Sequence, residues 1–221
     1  MDSTLQERAR VTRRSLLEAA ARLFAEQGYA GTSVNDVSAA SGRTSGSVYF
    51  HYASKEGLAL AVVRDRFATW PSLAARYANP ATPPLERLVT LSYEAARALA
   101  EDTLTRAGAR LWAERDTIDA PLPDPFALWT TAATRLLAQA RASGHLAYRV
   151  RPAPTACILV RSFFGLCTLT EALEGPQRIT HRLTDWWHLT LPCLQRGADP
   201  AETVRRARAE VMNGAAPGAT A

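Results

Sequence analysis

The chain has 221 residues, of which 47% are hydrophobic and 21% charged, and a formal net charge of +5. That length suits one large domain or a small one beside a larger one, and the composition excludes a disordered chain. No unbroken apolar run approaches the roughly 18–20 residues of a bilayer span, and the arginine-rich stretch from Met1 to Arg14 lacks the apolar segment of a secretory signal. A cytoplasmic protein with no membrane partner is the expectation.

The sequence reads as helix almost throughout, without the two-residue alternation of a strand and without a repeat of solenoid length. A first helix is expected from about Arg10 to Gln27, where Leu16, Leu17, Ala20, Leu23 and Phe24 form one apolar stripe. Gly28 caps its end. Thr32 or Ser33 then caps a short second helix ending near Ala40, with Asn35 and Asp36 placed to reach back. Ser41-Gly42-Arg43 makes a tight turn into a third helix over Thr44 to about Tyr52. Ser54 caps a fourth, starting at Lys55 and kinked or ended by Pro71. Further helices are expected over Leu85 to Ala100, Leu104 to Glu114, Phe126 to Ser143, Pro154 to Glu174 and Ile179 to Gln195. A proline-rich loop, Asp116 to Pro125, interrupts them. Asp199-Pro200 opens the last helix, and Asn213 to Ala221 is expected to fray.

The second and third helices, joined by a glycine-containing turn, have the form of a helix-turn-helix. Val34 and Val37 are placed to face the first helix, Ala39 and Ala40 to allow close crossing, and Val48 to anchor the third helix inward. Gly42 tolerates the left-handed turn. Thr44, Ser45, Gly46 and Ser47 are small and polar, which lets the third helix enter a major groove. Tyr49, Phe50, His51 and Tyr52 combine packing with tips able to reach phosphates; for Tyr49 and Phe50 pure packing is the alternative. Lys55 is the sole lysine among 26 basic residues. It lies in a helical first turn, where free N–H groups and the helix dipole already favour an anion.

Leu23-Phe24-Ala25-Glu26-Gln27-Gly28-Tyr29, Gly31-Thr32-Ser33-Val34, Ala40-Ser41-Gly42 and Gly46-Ser47-Val48-Tyr49-Phe50-His51-Tyr52 with Ser54-Lys55-Glu56 resemble the TetR family of regulators. The resemblance implies phosphate contacts from Thr32, Tyr49, His51 and Lys55, and base contacts from Thr44 to Ser47. Ser33 and Phe50 complete the candidate DNA-binding set. Arg43 departs from the apolar residue usual in the family and becomes a candidate phosphate or base contact; Ser47 departs from alanine. An all-α fold is implied, with residues 1–55 a helix-turn-helix DNA-binding domain, 56–214 a ligand-binding and dimerisation domain, and 215–221 a flexible tail.

Pro125-Phe126-Ala127-Leu128-Trp129, Gly144-His145-Leu146, Ser162-Phe163-Phe164-Gly165 and Trp187-His188-Leu189-Thr190-Leu191-Pro192 look like the γ-butyrolactone autoregulator receptors within that family. The resemblance places Trp129 in a ligand cavity, its indole N–H facing a lactone oxygen. Leu88, Leu91, Tyr93, Trp112, Phe163, Phe164, Cys167 and Thr168 are candidate walls, with ordinary core packing the alternative. Cys167 stands where such receptors often carry a polar residue, which opens a second reading as a pseudo-receptor answering to an antibiotic or biosynthetic intermediate. Ile158, Val160, Leu166, Leu169 and Leu173, with Leu183, Trp186, Trp187, Leu191 and Leu194, are expected to supply a homodimer interface.

The function expected is a repressor that binds double-stranded operator DNA and is released by a butyrolactone-like small molecule. An enzyme is not expected: the histidines lack metal-ligand spacing and no nucleophile or phosphate-loop motif is present. Cys157, Cys167 and Cys193 fit neither a zinc site nor a disulfide framework, so no metal and no cofactor are expected. A helical protein-interaction module without DNA binding is the reading from another class.

Overall fold

A computed structural model describes residues 2–68 and 70–214. The described residues are helical and connected by loops, with one isolated antiparallel bridge between Leu146 and Gln195 and no named strand. The helices are α1 (Asp2–Gly31), α2 (Val34–Ser41), α3 (Ser45–Tyr52), α4 (Lys55–Ala68), α5 (Trp70–Arg76), α6 (Pro84–Glu101), α7 (Thr103–Ala113), α8 (Pro125–Ala142), α9 (Pro152–Glu174), α10 (Ile179–Leu194) and α11 (Pro200–Gly214). Helix α1 begins well before the expected Arg10. Its regular turns break at Gly28, where φ is 75° and ψ −179°. Asn213 lies within α11, and residues 215–221 lie outside the described residues.

Two compact units result, and they divide the chain differently from a boundary at residue 55. The first holds α1 to α4 together with α7; the second holds α6 and α8 to α11. In the first, Leu16, Leu17, Ala20, Phe24, Val37, Val48, Leu58, Val62, Ala107 and Leu111 form one core. Helix α7 belongs there because Ala107 and Leu111 fill the space between α1 and α4. Turn chemistry at the head of the unit follows the sequence. Ser33 and Asp36 exchange the reciprocal bonds of a capping box, Gly42 sits at φ 65°, and Thr44 caps α3 through the Ser47 N–H.

The second unit packs α8 against α9 and α6 against α11. Two bonds between distant residues fix its centre. The Trp187 indole Nε1 donates to Ser92 Oγ at 2.8 Å, and the Tyr93 hydroxyl pairs with Thr184 Oγ1 at 2.8 Å. Glu94 is buried on α6 and accepts a bidentate pair from Arg97, at 2.6 and 3.1 Å; such a fork satisfies a carboxylate that burial would otherwise penalise. One expectation is corrected here. Helix α9 reaches a mean hydropathy of 1.5 and is long and apolar enough to cross a bilayer, although Arg161 breaks the unbroken run; 33% of that window is buried within the protein. A helix with one face in a core and an apolar second face passes the same test.

Candidate DNA-binding surface and sensor core

The exit of α1, the first turn of α2, Tyr49 on α3 and Lys55 on α4 surround an open concavity of about 420 Å³. Ala30 to Asn35 form its floor and one wall. The first N–H groups of α2 have no intrahelical acceptor and carry the positive end of the helix dipole. Asp36, the nearby carboxylate, is engaged by both the N–H and the hydroxyl of Ser33, at 2.8 and 2.6 Å. Those bonds hold its carboxyl below its usual value. The Lys55 ammonium lies 4.0 Å above the Tyr29 ring, and the Tyr29 hydroxyl donates to Glu56 at 2.5 Å. Burial, then that bond, pushes the phenol above its ordinary value. The bond also holds Glu56 below its own. The arrangement sets a lysine ammonium beside the positive end of α2, an electrostatic setting that favours an anion.

The outer face of α3 completes the surface. Arg43, Thr44, Gly46, Tyr49 and Phe50 are exposed, and Phe50 is 82% accessible with its ring edge-on to His51. Packing therefore does not account for Phe50. Val48 and Tyr52 point inward, with the Tyr52 hydroxyl donating to the Arg13 carbonyl at 2.7 Å. The small side chains do two different jobs. Ser47 pairs with Thr44 at 3.0 Å on the outer face. Ser45 is half-buried, donating to Asn35 Oδ1 and accepting from Ser38, so it ties α3 to α2. That hydroxyl pairing joins the two helices, whereas Ala39 and Ala40 are exposed. Thr32 also departs from expectation. It is 2% exposed and its hydroxyl donates to the Gly28 carbonyl at 2.9 Å. Its donor is spent on the end of α1, while the residue itself lines the hollow.

In the second unit, Trp129 on α8 stacks on Phe163 of α9 at 6.3 Å and meets Phe164 edge-on at 6.1 Å. Phe126 adds a further edge contact to Phe164 at 4.6 Å. Leu91, Tyr93 and Cys167 are buried and Leu88 half-buried. Burial pushes the Cys167 thiol up to about 12, which keeps it neutral.

Residues 16–62 match the family described as bacterial regulatory proteins, tetR family, and residues 82–196 match the tetracyclin repressor-like C-terminal domain. The chain belongs to the TetR family. It is 30% identical over 189 residues to the A-factor receptor protein of Streptomyces griseus, a match covering 86% of this chain and 66% of that protein. The chain spans about two thirds or less of the length of the curated relatives it matches. Among solved structures it is similar to CprB from Streptomyces coelicolor A3(2), with a TM-score of 0.81, 32% identity, and coverage of 92% of this chain and 98% of that one. CprB has also been solved with its biological operator sequence. An ArpA-like γ-butyrolactone receptor aligns with a TM-score of 0.78 at 30% identity, covering 92% of this chain and 99% of that one.

Within this TetR-family chain, several sequence expectations are redistributed. Thr168 is exposed on α9, whereas Phe163 and Cys167 are buried there. Trp112 belongs to the first unit, with the Arg115 guanidinium 4.2 Å over its ring, while Trp129 belongs to the second. Val160, Leu183, Trp187, Leu191 and Leu194 are core residues and leave the expected dimer face. Ile158, Leu169 and Leu173 remain on it, exposed, and Leu189 joins them. Sequence reading missed Glu114 and Arg110, which grip the end of α1 from a helix 85 positions away. No periodicity signals a pairing at that distance.

Proposed function

We propose that the protein is a dimeric repressor that binds double-stranded operator DNA through its helix-turn-helix and is released by a small molecule of the γ-butyrolactone type. The observation that carries this reading is the open hollow beside the exposed face of α3, where Lys55, Tyr49 and the start of α2 converge. A phosphate held there would register Arg43, Thr44, Gly46, Ser47 and Phe50 against base edges. Residues 1–55 then act as reader, supported by α4 and α7 in the same unit, and the second unit acts as sensor and dimeriser. The exposed stripe on α9 and α10 supports a two-fold partner, which matches paired half-sites on DNA. Similarity to the A-factor receptor and to a γ-butyrolactone receptor supports the ligand class. Among the described residues no cluster of three or more metal-ligating side chains occurs. The reading calls for no cofactor, no catalysis, no membrane partner and a cytoplasmic location.

Trp129, stacked between α8 and α9, is the anchor proposed for the lactone. A second reading, a pseudo-receptor for an antibiotic or biosynthetic intermediate, is favoured by the buried neutral thiol of Cys167 in place of a polar group. A duplex enriched from a random library by the protein, used in a gel shift with and without a synthetic γ-butyrolactone, separates the two. Release by micromolar lactone, abolished in Trp129→Ala without loss of DNA binding, is the expected result. Retention of the duplex at every lactone concentration moves the assignment to the second reading.

A further inference from the structure

Helix α7 follows directly on α6 in the chain, yet it packs in the first unit against α1 and α4. Its last turn grips the break in α1. Arg110 donates to the Ala25 carbonyl at 3.0 Å, occupying an acceptor that the end of the helix leaves open. Glu114 accepts the Tyr29 N–H at 2.6 Å, and Arg110 and Glu114 bond each other at 3.0 Å. The ends of the two side chains close over Gly28. A Cβ placed at Gly28 would lie 2.5 Å from Glu114 Oε1 and 2.9 Å from the Arg110 guanidinium. Glycine at this position serves the positive φ of the backbone.

Tyr29 is held at its backbone by Glu114, while its ring carries the Lys55 ammonium and its hydroxyl engages Glu56. One residue therefore links α7 to the first turn of α4. We propose that Glu114 and Arg110 are positioning residues: a latch through which α7 sets Tyr29, and Tyr29 sets Lys55, for a DNA phosphate. This rests on reading the hollow as a phosphate site. Neither latch residue lines the hollow. Their effect passes through the backbone at position 29, and any rotation or slide of α7 that separates Glu114 from the Tyr29 N–H releases the Lys55 platform.

The test measures affinity and salt slope on a duplex enriched by the wild-type protein, for Glu114→Ala, Lys55→Ala and the double variant. Glu114→Ala is expected to weaken binding about 10-fold and to lower the salt slope by about one phosphate. Lys55→Ala should have a strong effect in the wild type and almost none in the Glu114→Ala background, because coupled residues are non-additive. A purely structural role for Glu114 predicts otherwise: a lower melting temperature, an unchanged slope in the folded protein, and the full Lys55→Ala effect in both backgrounds. That result overturns the latch. Should Glu114→Ala fail to fold, Glu114→Gln keeps the volume and an acceptor but loses the charge holding Arg110. It is then expected to show partial weakening with the same coupling to Lys55, and full additivity overturns the proposal. If the wild-type protein enriches no duplex, the functional reading itself falls and the latch with it, an outcome distinct from additivity.

Discussion

Two helices of this chain present apolar side chains to solvent, and they do so in different company. On α3, Phe50 stands among Arg43, Gly46 and Ser47, beside a hollow lined by Lys55 and the start of α2. On α9, Ile158, Leu169 and Leu173 (80% exposed) follow one another at helical spacing with the small Ser162 and Gly165 between them, and Leu189 of α10 is exposed as well. Apolar exposure alone names no partner; the neighbours do. One aromatic edge among hydroxyls and cations suits a groove with a thymine methyl in reach and phosphates on either side. An aliphatic stripe with close-approach positions suits a second copy of the same helix, the self-complementary surface of a two-fold dimer.

Breaking the aliphatic face should have the largest effect. Leu169→Glu combined with Leu173→Glu places uncompensated carboxylates in the proposed interface and removes two leucines worth about 1.5–3 kcal/mol each when buried. Dimer dissociation is expected to rise by about 1,000-fold or more, read by sedimentation across a concentration series, with helical content unchanged because both side chains are exposed in the single chain. A dimer of wild-type strength would move the interface elsewhere. Phe50→Ala sharpens the other side of the comparison with a smaller effect. An exposed side chain contributes within about 0.5 kcal/mol to stability, so the melting temperature should hold while affinity for the enriched duplex falls about 10-fold, in line with the loss of one good base contact. A melting temperature that drops with affinity intact would return Phe50 to a packing role.

The two regions also differ in how much of them the sequence discloses. Gly28, a cap at Thr32 or Ser33 with Asp36 reaching back, and Gly42 were legible, because each is a bond or a backbone angle set within a few residues, whereas Thr44 caps α3 and is not its first residue. The orientation of the Thr32 hydroxyl was not legible. Whether its hydroxyl faces a phosphate or the Gly28 carbonyl depends on how α1 ends in three dimensions, not on the local spacing. In the second unit the helices were legible and their faces less so. The period of α9 and α10 marks which residues share a side, but both sides are apolar, and only the packed structure shows that Trp187 and Leu183 are enclosed while Leu169 and Leu173 are not. Bonds such as Trp187 to Ser92, 95 positions apart, leave no trace in a local pattern.

The account stands or falls on the hollow beside α3, and the salt dependence of DNA binding tests it most directly. Wild-type protein and Lys55→Ala would be titrated against the same enriched duplex from about 50 to 200 mM salt. The account predicts strongly salt-dependent binding whose log–log slope drops by about one unit in Lys55→Ala, the signature of one lost phosphate contact. An identical slope and affinity in the two proteins would contradict it, because the one lysine in the chain would then touch no phosphate.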